Sequence, residues 1–165
     1  MTNSFSTASF RLFSLLLLSA ASVFTSACKK EDSRSDQDII KDYISSSGAL
    51  NVQQLPSGLH YVPITTNPSG VRAVAGKTVS VLYTGRLMDG TVFDATSKRN
   101  NVPFDFVLGA GQVIRGWDEG IALMRKGEKG ELLIPSALGY GSRGAGASIP
   151  PNAVLRFEVE VTDVK

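Results

Sequence analysis

QVIRGWDEGIALM, residues 112–124, carries Ile114, Trp117, Ile121 and Met124 at intervals of three and four, so the four side chains fall along one stripe of a helix. Arg115, Asp118 and Glu119 lie on the other side and are expected to face water. The stretch therefore predicts an amphipathic helix over residues 112–124. It also holds the only tryptophan of the chain. A large apolar ring set among glycines and charges is either plain core or more than core.

What lies on both sides of this helix is read as strands. In TVSVLYTGRL, residues 78–87, Val79, Val81 and Tyr83 alternate with Ser80, Leu82 and Thr84, and MDG at 88–90 is a turn signal before TVFD. LRFEVEV, residues 155–161, puts Leu155, Phe157, Val159 and Val161 on one face and Arg156, Glu158 and Glu160 on the other. Such a strand buries one side and wets the other. GLHYVPI, FDFVL and KGELLI add shorter strands. The expectation is an α+β domain over residues 57–165, with a curved antiparallel sheet of about five strands wrapped around one short amphipathic helix.

The N-terminal 56 residues follow a different pattern. Residues 1–27 hold a single charge, Arg11, and the apolar run LFSLLLLSAASVFTSA, of a length that suits a signal peptide and falls short of an ordinary spanning helix. TSACKK then brings Cys28, the sole cysteine of the chain, after small residues. This resembles a bacterial lipobox, with Thr25 in the place of the usual aliphatic residue. The resemblance implies a lipid anchor on Cys28, since two or more acyl chains hold a protein at a membrane stably. An ordinary secretory signal, leaving Cys28 as a free thiol, is the alternative. KKED is similar to a surface-export signal of Bacteroidetes-type lipoproteins, which implies the cell envelope and its outer membrane. Residues 28–56 are read as lipidated cysteine, polar tether and one short helix, for which DIIKDYI supplies Ile39, Ile40, Tyr43 and Ile44 at helical spacing. That helix would dock either on the domain or on a second copy, and the sequence leaves the oligomeric state open. On this reading residues 29–50 are dispensable for the chemistry of the domain.

Without residues 1–27 the chain has 16 basic and 15 acidic residues, a balance that gives no reason to expect a nucleic-acid partner. One histidine, one cysteine and no GxSxG, HExxH or P-loop pattern leave nothing from which to build a metal site, a nucleophilic triad or a phosphate cradle. No metal and no cofactor are expected. His60, on an alternating segment, is expected to be structural or exposed.

VLYTGRLMDGTVFDAT, FVLGAGQVIRGWDEGIALMRKGEKGELLIP and LGYGSRGAGASIPPNAVLRFEVEV together resemble an FKBP-type peptidyl-prolyl cis-trans isomerase domain. The resemblance spans residues 76–165 and implies a sheet curved around one short helix, as the periodicity does. It implies a pocket of Tyr83, Phe93, Asp94, Phe104, Val113, Ile114, Trp117, Tyr140, Ile149 and Phe157, with Trp117 as the floor under a proline ring. Tyr83, Asp94, Ile114 and Tyr140 would be the catalytic residues. The backbone N–H of Ile114 and the hydroxyl of Tyr140 would hold substrate carbonyls, and Asp94 would lie against the rotating carbonyl or brace Tyr83. Phe93, Phe104, Val113, Trp117, Ile149 and Phe157 would bind the substrate. Proline-containing polypeptides, and macrolides as ligands, are the implied partners. Gln112, Ala145 and Ser148 depart from familiar members at the rim, and SKRNNVPF is about one residue longer. These departures bear on substrate preference and macrolide affinity.

Such a pocket needs no nucleophile. Amide rotation costs about 18–20 kcal/mol because resonance is broken, and the planar amide is more charge-separated than the twisted transition state. A dry aromatic pocket penalises the first more than the second. A proline-binding module or chaperone with incidental turnover is the competing function.

Overall fold

The computed structural model describes residues 34–165; the signal segment, Cys28 and the first part of the tether lie outside the described residues. The alternating stretches form one antiparallel sheet of seven strands: β1 Gln53–Gln54, β2 His60–Thr65, β3 Thr78–Leu87, β4 Val92–Ala95, β5 Phe104–Val107, β6 Lys129–Ile134 and β7 Leu155–Val164. Their order is β1-β2-β6-β7-β3-β4, with β5 also paired to β3. The count exceeds the expected five or so for two local reasons. Two-residue β1 has no alternation to betray it. The outer edge of β3 is divided: β5 pairs with Thr78–Val81 and β4 with residues 84–86.

Strand β7 alternates as its sequence does, with Leu155, Phe157, Val159 and Val161 buried and Glu158 and Glu160 exposed. It pairs with β6 on one side and β3 on the other, so its apolar face lies at the centre of the domain. The helix laid on that face, α2, spans Arg115–Ile121. It is shorter than residues 112–124 because Ile114 is extended (φ −62°, ψ 148°) and caps it, while tight turns close its far end through Leu123 N–H to Gly120 O and Met124 N–H to Ile121 O. The apolar stripe survives the shortening. Trp117, Ile121 and Met124 are all buried, and only Ile114 is half-exposed. Of the three residues expected in water, Arg115 is exposed, while Asp118 and Glu119 are half-buried; Asp118 Oδ1 accepts from Gly109 N–H at 2.8 Å.

The glycines of the helix answer to packing. A methyl on Gly116 would stand 2.5 Å from Ile134 Cγ2, and one on Gly120 would stand 2.5 Å from Leu132 Cδ2. Both positions press the helix backbone onto β6, a closeness that any side chain would prevent. His60 is buried, its Nδ1 3.1 Å from Gly58 O, and burial lowers its pKa. It is structural.

The second helix, α1 Asp36–Ser47, starts at an Ser35 cap, whose hydroxyl oxygen accepts from Asp38 N–H, and ends at Gly48 in the left-handed region (φ 66°). It docks on the opposite face of the sheet. Ile40 is 0% exposed and packs with Val62, Leu133 and Val154. Tyr43 donates to Glu131 Oε1 at 3.0 Å. The boundary expected after residue 56 is therefore corrected, because the compact unit runs from Ser33 to Lys165. Of residues 29–50, Ile39, Ile40, Tyr43 and Ile44 pack against the domain. The apolar stripe of DIIKDYI found its partner on the domain itself.

Candidate functional site

Between α2 and the pocket face of the sheet lies a cavity of about 580 Å³. Strand β3 supplies Tyr83, β4 supplies Phe93 and Asp94, and β5 supplies Phe104. Val113 and Ile114 lead into α2, which contributes Trp117; the β6–β7 loop brings Tyr140 and Ile149, and β7 brings Phe157. All ten residues expected around a pocket line this one cavity. Cys28 lies outside the described residues.

Trp117, 4% exposed, is the hub of the aromatic packing. Its ring meets Tyr83 at a centroid distance of 4.9 Å and Phe157 at 5.2 Å, both edge to face, and Phe106 and Phe104 at 5.8 and 6.3 Å. Edge-to-face pairs add about 0.5–1.5 kcal/mol each beyond area burial. Its Nε1–H has no acceptor among the described residues. An orphaned buried donor costs about 1–3 kcal/mol. The ring is held there by apolar packing against that cost. Phe93 crosses Phe157 edge to face at 5.4 Å, and the pair fits because residue 85 is glycine: a Cβ there would stand 2.6 Å from the Phe93 ring and 2.7 Å from that of Phe157.

One wall is polar. Tyr83 donates its hydroxyl proton to Asp94 Oδ2 at 2.5 Å, and the Arg99 guanidinium donates to both Asp94 oxygens at 3.3 Å and also to the Tyr83 hydroxyl. Burial acts against the Asp94 charge, but the Tyr83 hydroxyl, Arg99 and the Ala95 N–H outweigh it and hold the carboxyl below its usual range. Burial, then Asp94, pushes the Tyr83 hydroxyl up to about 12, so it remains a donor. Burial and the Asp94 charge also raise Tyr140. Two donors face the cavity uncommitted: among the described residues neither the Ile114 N–H nor the Tyr140 hydroxyl has a partner.

The cavity also takes in Arg99, Gln112, Ala145 and Ser148. The last three were already marked as rim departures. Gln112 Oε1 accepts from Val107 N–H at 2.8 Å and so ties the end of β5 to the approach to α2. Arg99 and Gly85 went unnoticed. Arg99 ends the 3-10 turn Thr96–Arg99 that bridges β4 to β5, and nothing local in SKRNN tells which of its two cations turns inward. The signal for Gly85 was a glycine inside a strand pattern, which marks a close approach.

A family model for FKBP-type peptidyl-prolyl cis-trans isomerase matches residues 70–162. FK506-binding protein 1 of Dictyostelium discoideum is 57% identical over 90 residues, 54% of this chain and 83% of its own. An FK506-binding protein of Neisseria meningitidis serogroup B is 53% identical over 117 residues, 71% of this chain and 97% of its own. The crystal structure of FkpA from Escherichia coli superposes with a TM-score of 0.68 at 37% identity, over 79% of this chain and 59% of that one.

Proposed function

The chain belongs to the FKBP-type peptidyl-prolyl cis-trans isomerase family, and from that premise we propose that it isomerises X–Pro bonds in polypeptides folding in the cell envelope. The observation that carries the reading is the convergence of ten residues from five elements and two connecting segments on one aromatic cavity floored by Trp117.

A proline ring of the substrate rests on Trp117, flanked by Tyr83, Phe93, Phe104, Ile149 and Phe157. The preceding amide is thereby removed from water, which favours its twisted, less charge-separated form. Ile114 N–H and the Tyr140 hydroxyl hold carbonyls on either side of the rotating bond, and both are free to do so. For Asp94 the 2.5 Å bond from Tyr83 supports the bracing role over direct contact with the rotating carbonyl. Arg99 keeps Asp94 ionised and Tyr83 pointed at it. No group forms a covalent bond to the substrate. Macrolides are candidate ligands of the same cavity.

The test is isomerisation of a short X–Pro peptide by the full chain, with Trp117→Leu beside it. The variant keeps apolar bulk and is expected to lose about 2 kcal/mol of stability, less than truncation to alanine, while peptide turnover falls at least tenfold. Tryptophan emission, from a single ring, is expected to shift when a proline-site ligand is added. Wild-type rates no faster than buffer would leave a binding module in place of an enzyme.

The cellular setting rests on sequence. TSACKK supports a lipid anchor at Cys28 and, with KKED, the outer membrane. Among the described residues no helix is long and apolar enough to cross a membrane. On the lipid-anchor reading Cys28→Ser is expected to move the protein from washed membranes into the soluble fraction; a variant that stays with the membrane would refute the anchor.

A further inference from the structure

Four of the cavity's lining residues, Tyr140, Ala145, Ser148 and Ile149, ride on the connection between β6 and β7, residues 135–154. The tip of this loop is bonded to itself, through Ala145 N–H to Ile149 O at 2.9 Å, Ile149 N–H to Ala145 O at 3.1 Å and Asn152 N–H to Gly141 O at 2.9 Å. Because the Tyr140 hydroxyl has no partner, its position depends on how the loop as a whole is seated. Leu138 and Ile149 seat the loop on the main core, and at each of its roots α1 is a further partner.

At the first root, Ser136 opens the 3-10 turn Ser136–Leu138, which leads directly to Tyr140. Its backbone N–H and its hydroxyl both donate to Asp36 Oδ2 at 2.8 Å. Asp36 is the first residue of α1, a hundred positions earlier in the chain. At the other root, Val154 is buried against Ile40 of the same helix. Gln37 adds a bond from Nε2 to Gly58 O at 3.0 Å, fixing α1 to the turn before β2. Thus α1 grips both ends of the loop while lining none of the cavity. It also precedes residues 70–162, the stretch that the family model matches.

We propose that α1 is a brace for the pocket loop, with Asp36 as its positioning residue and Ile40 as its buried anchor. Asp36 caps the turn at Ser136 with a charge-assisted pair of hydrogen bonds, about twice as strong as neutral ones. A small rotation at Ser136 is carried four residues on to the Tyr140 hydroxyl, where a misplacement of about 1 Å is enough to weaken a positioned contact. The role rests on the isomerase reading in so far as Tyr140 holds the substrate. Since it holds the carbonyl in ground and transition states alike, loosening the brace raises KM and spares kcat.

The experiment compares the full chain with Asp36→Ala, Asp36→Asn and Ser136→Ala, by steady-state kinetics on an X–Pro peptide and by amide hydrogen exchange. For Asp36→Ala the expected result is a KM about fivefold higher with kcat within about twofold, and exchange about tenfold faster in residues 136–152 with β3 and α2 unchanged, as loss of hydrogen bonds to a charged group would produce. Asp36→Asn, whose amide oxygen still accepts, restores most of both. Ser136→Ala, which removes one donor, gives the same local pattern at smaller size and serves should Asp36→Ala fail to fold. Unchanged loop exchange in the folded variants, exchange that rises equally throughout the sheet, or a lowered kcat at unaltered KM would overturn the brace and make Asp36 a contributor to stability alone. If the wild type turns over no peptide, the isomerase reading falls, and the exchange pattern still decides the brace.

Discussion

Two clusters of one tyrosine, one carboxylate and one arginine sit on opposite faces of the same sheet, and their carboxyl groups are shifted in opposite directions. In the pocket, Tyr83 donates to Asp94 while Arg99 reaches both and lies 5.7 Å from the Tyr83 ring. Under α1, Tyr43 donates to Glu131, Arg156 Nη1 donates to the Tyr43 hydroxyl at 2.8 Å and Arg156 Nε stands 3.3 Å from Glu131, its guanidinium 5.0 Å from the Tyr43 ring. The pocket carboxyl is 40% exposed and its pKa is lowered; the Glu131 carboxyl is 14% exposed and its pKa is raised. Burial opposes both charges and is the largest cause in each. Near the open cavity the partners outweigh it, and under α1 they do not. The same three residue types therefore make a fixed negative group beside a binding site in one place and a helix dock in the other.

The strongest way to break this comparison is to release α1. Ile40→Ala is expected to remove about 3 kcal/mol of protection from the amides of α1, within the range for emptying a fully buried aliphatic site, and to take the Tyr43 cluster apart. The pocket cluster should survive, so a proline-site ligand still shifts Trp117 emission, at weaker affinity if the loop is loosened. Loss of that response in a folded variant would mean that the two faces are one cooperative unit. Next in size, Glu131→Ala is expected to cost about 2 kcal/mol in urea unfolding, because it leaves Arg156 half-buried without its carboxylate. Asp94→Ala should cost less than about 1 kcal/mol, its side chain being 40% exposed against 14% for that of Glu131. For peptide turnover the ranking inverts, with Asp94→Ala the more damaging. Equal stability losses would show that burial is not what separates the clusters.

The smallest effect is the dependence on pH, and its sign differs between the faces. Asp94, with a folded pKa below its unfolded value of about 3.9, contributes stability that is present above that pH and lost as pH falls through the folded value. Glu131, raised in the fold, contributes stability present below its unfolded value of about 4.3 and lost as pH rises through the folded one. Urea midpoints followed from pH 2.5 to 7 are therefore expected to show a flatter acid limb for Asp94→Asn and a flatter slope above pH 4.3 for Glu131→Gln, each by about 0.5 kcal/mol or less after solvent screening. Matching slopes in the two variants would contradict the assigned directions.

Much of the pocket could be read before any fold was known. Leu155, Phe157, Val159 and Val161 declare their face by strict alternation, because one wet and one dry side leave a strand no other register, whereas in β3 Ser80 is buried between Val79 and Val81. Trp117 declares its face by the stripe it shares with Ile121 and Met124. Arg99 could not be read in the same way, since a cation in a short turn between two edge strands has no period to follow. Asp36 was harder still. Its partner Ser136 is a hundred residues away, and an acid in the first turn of a helix is common with or without such a partner.

Within each element, then, the inward-facing residues follow from the chain's own pattern: a pleat of period two and a helix of period 3.6 turn a string of apolar residues into a face. What each face would meet was settled by folding. DIIKDYI had an apolar stripe and no stated partner until the sheet offered Val62, Leu133 and Val154, and the sign of the Asp94 and Glu131 shifts waited on how much water each kept. Periodicity is a local property of the chain. Burial and charge balance are sums over neighbours that the chain brings together only by folding.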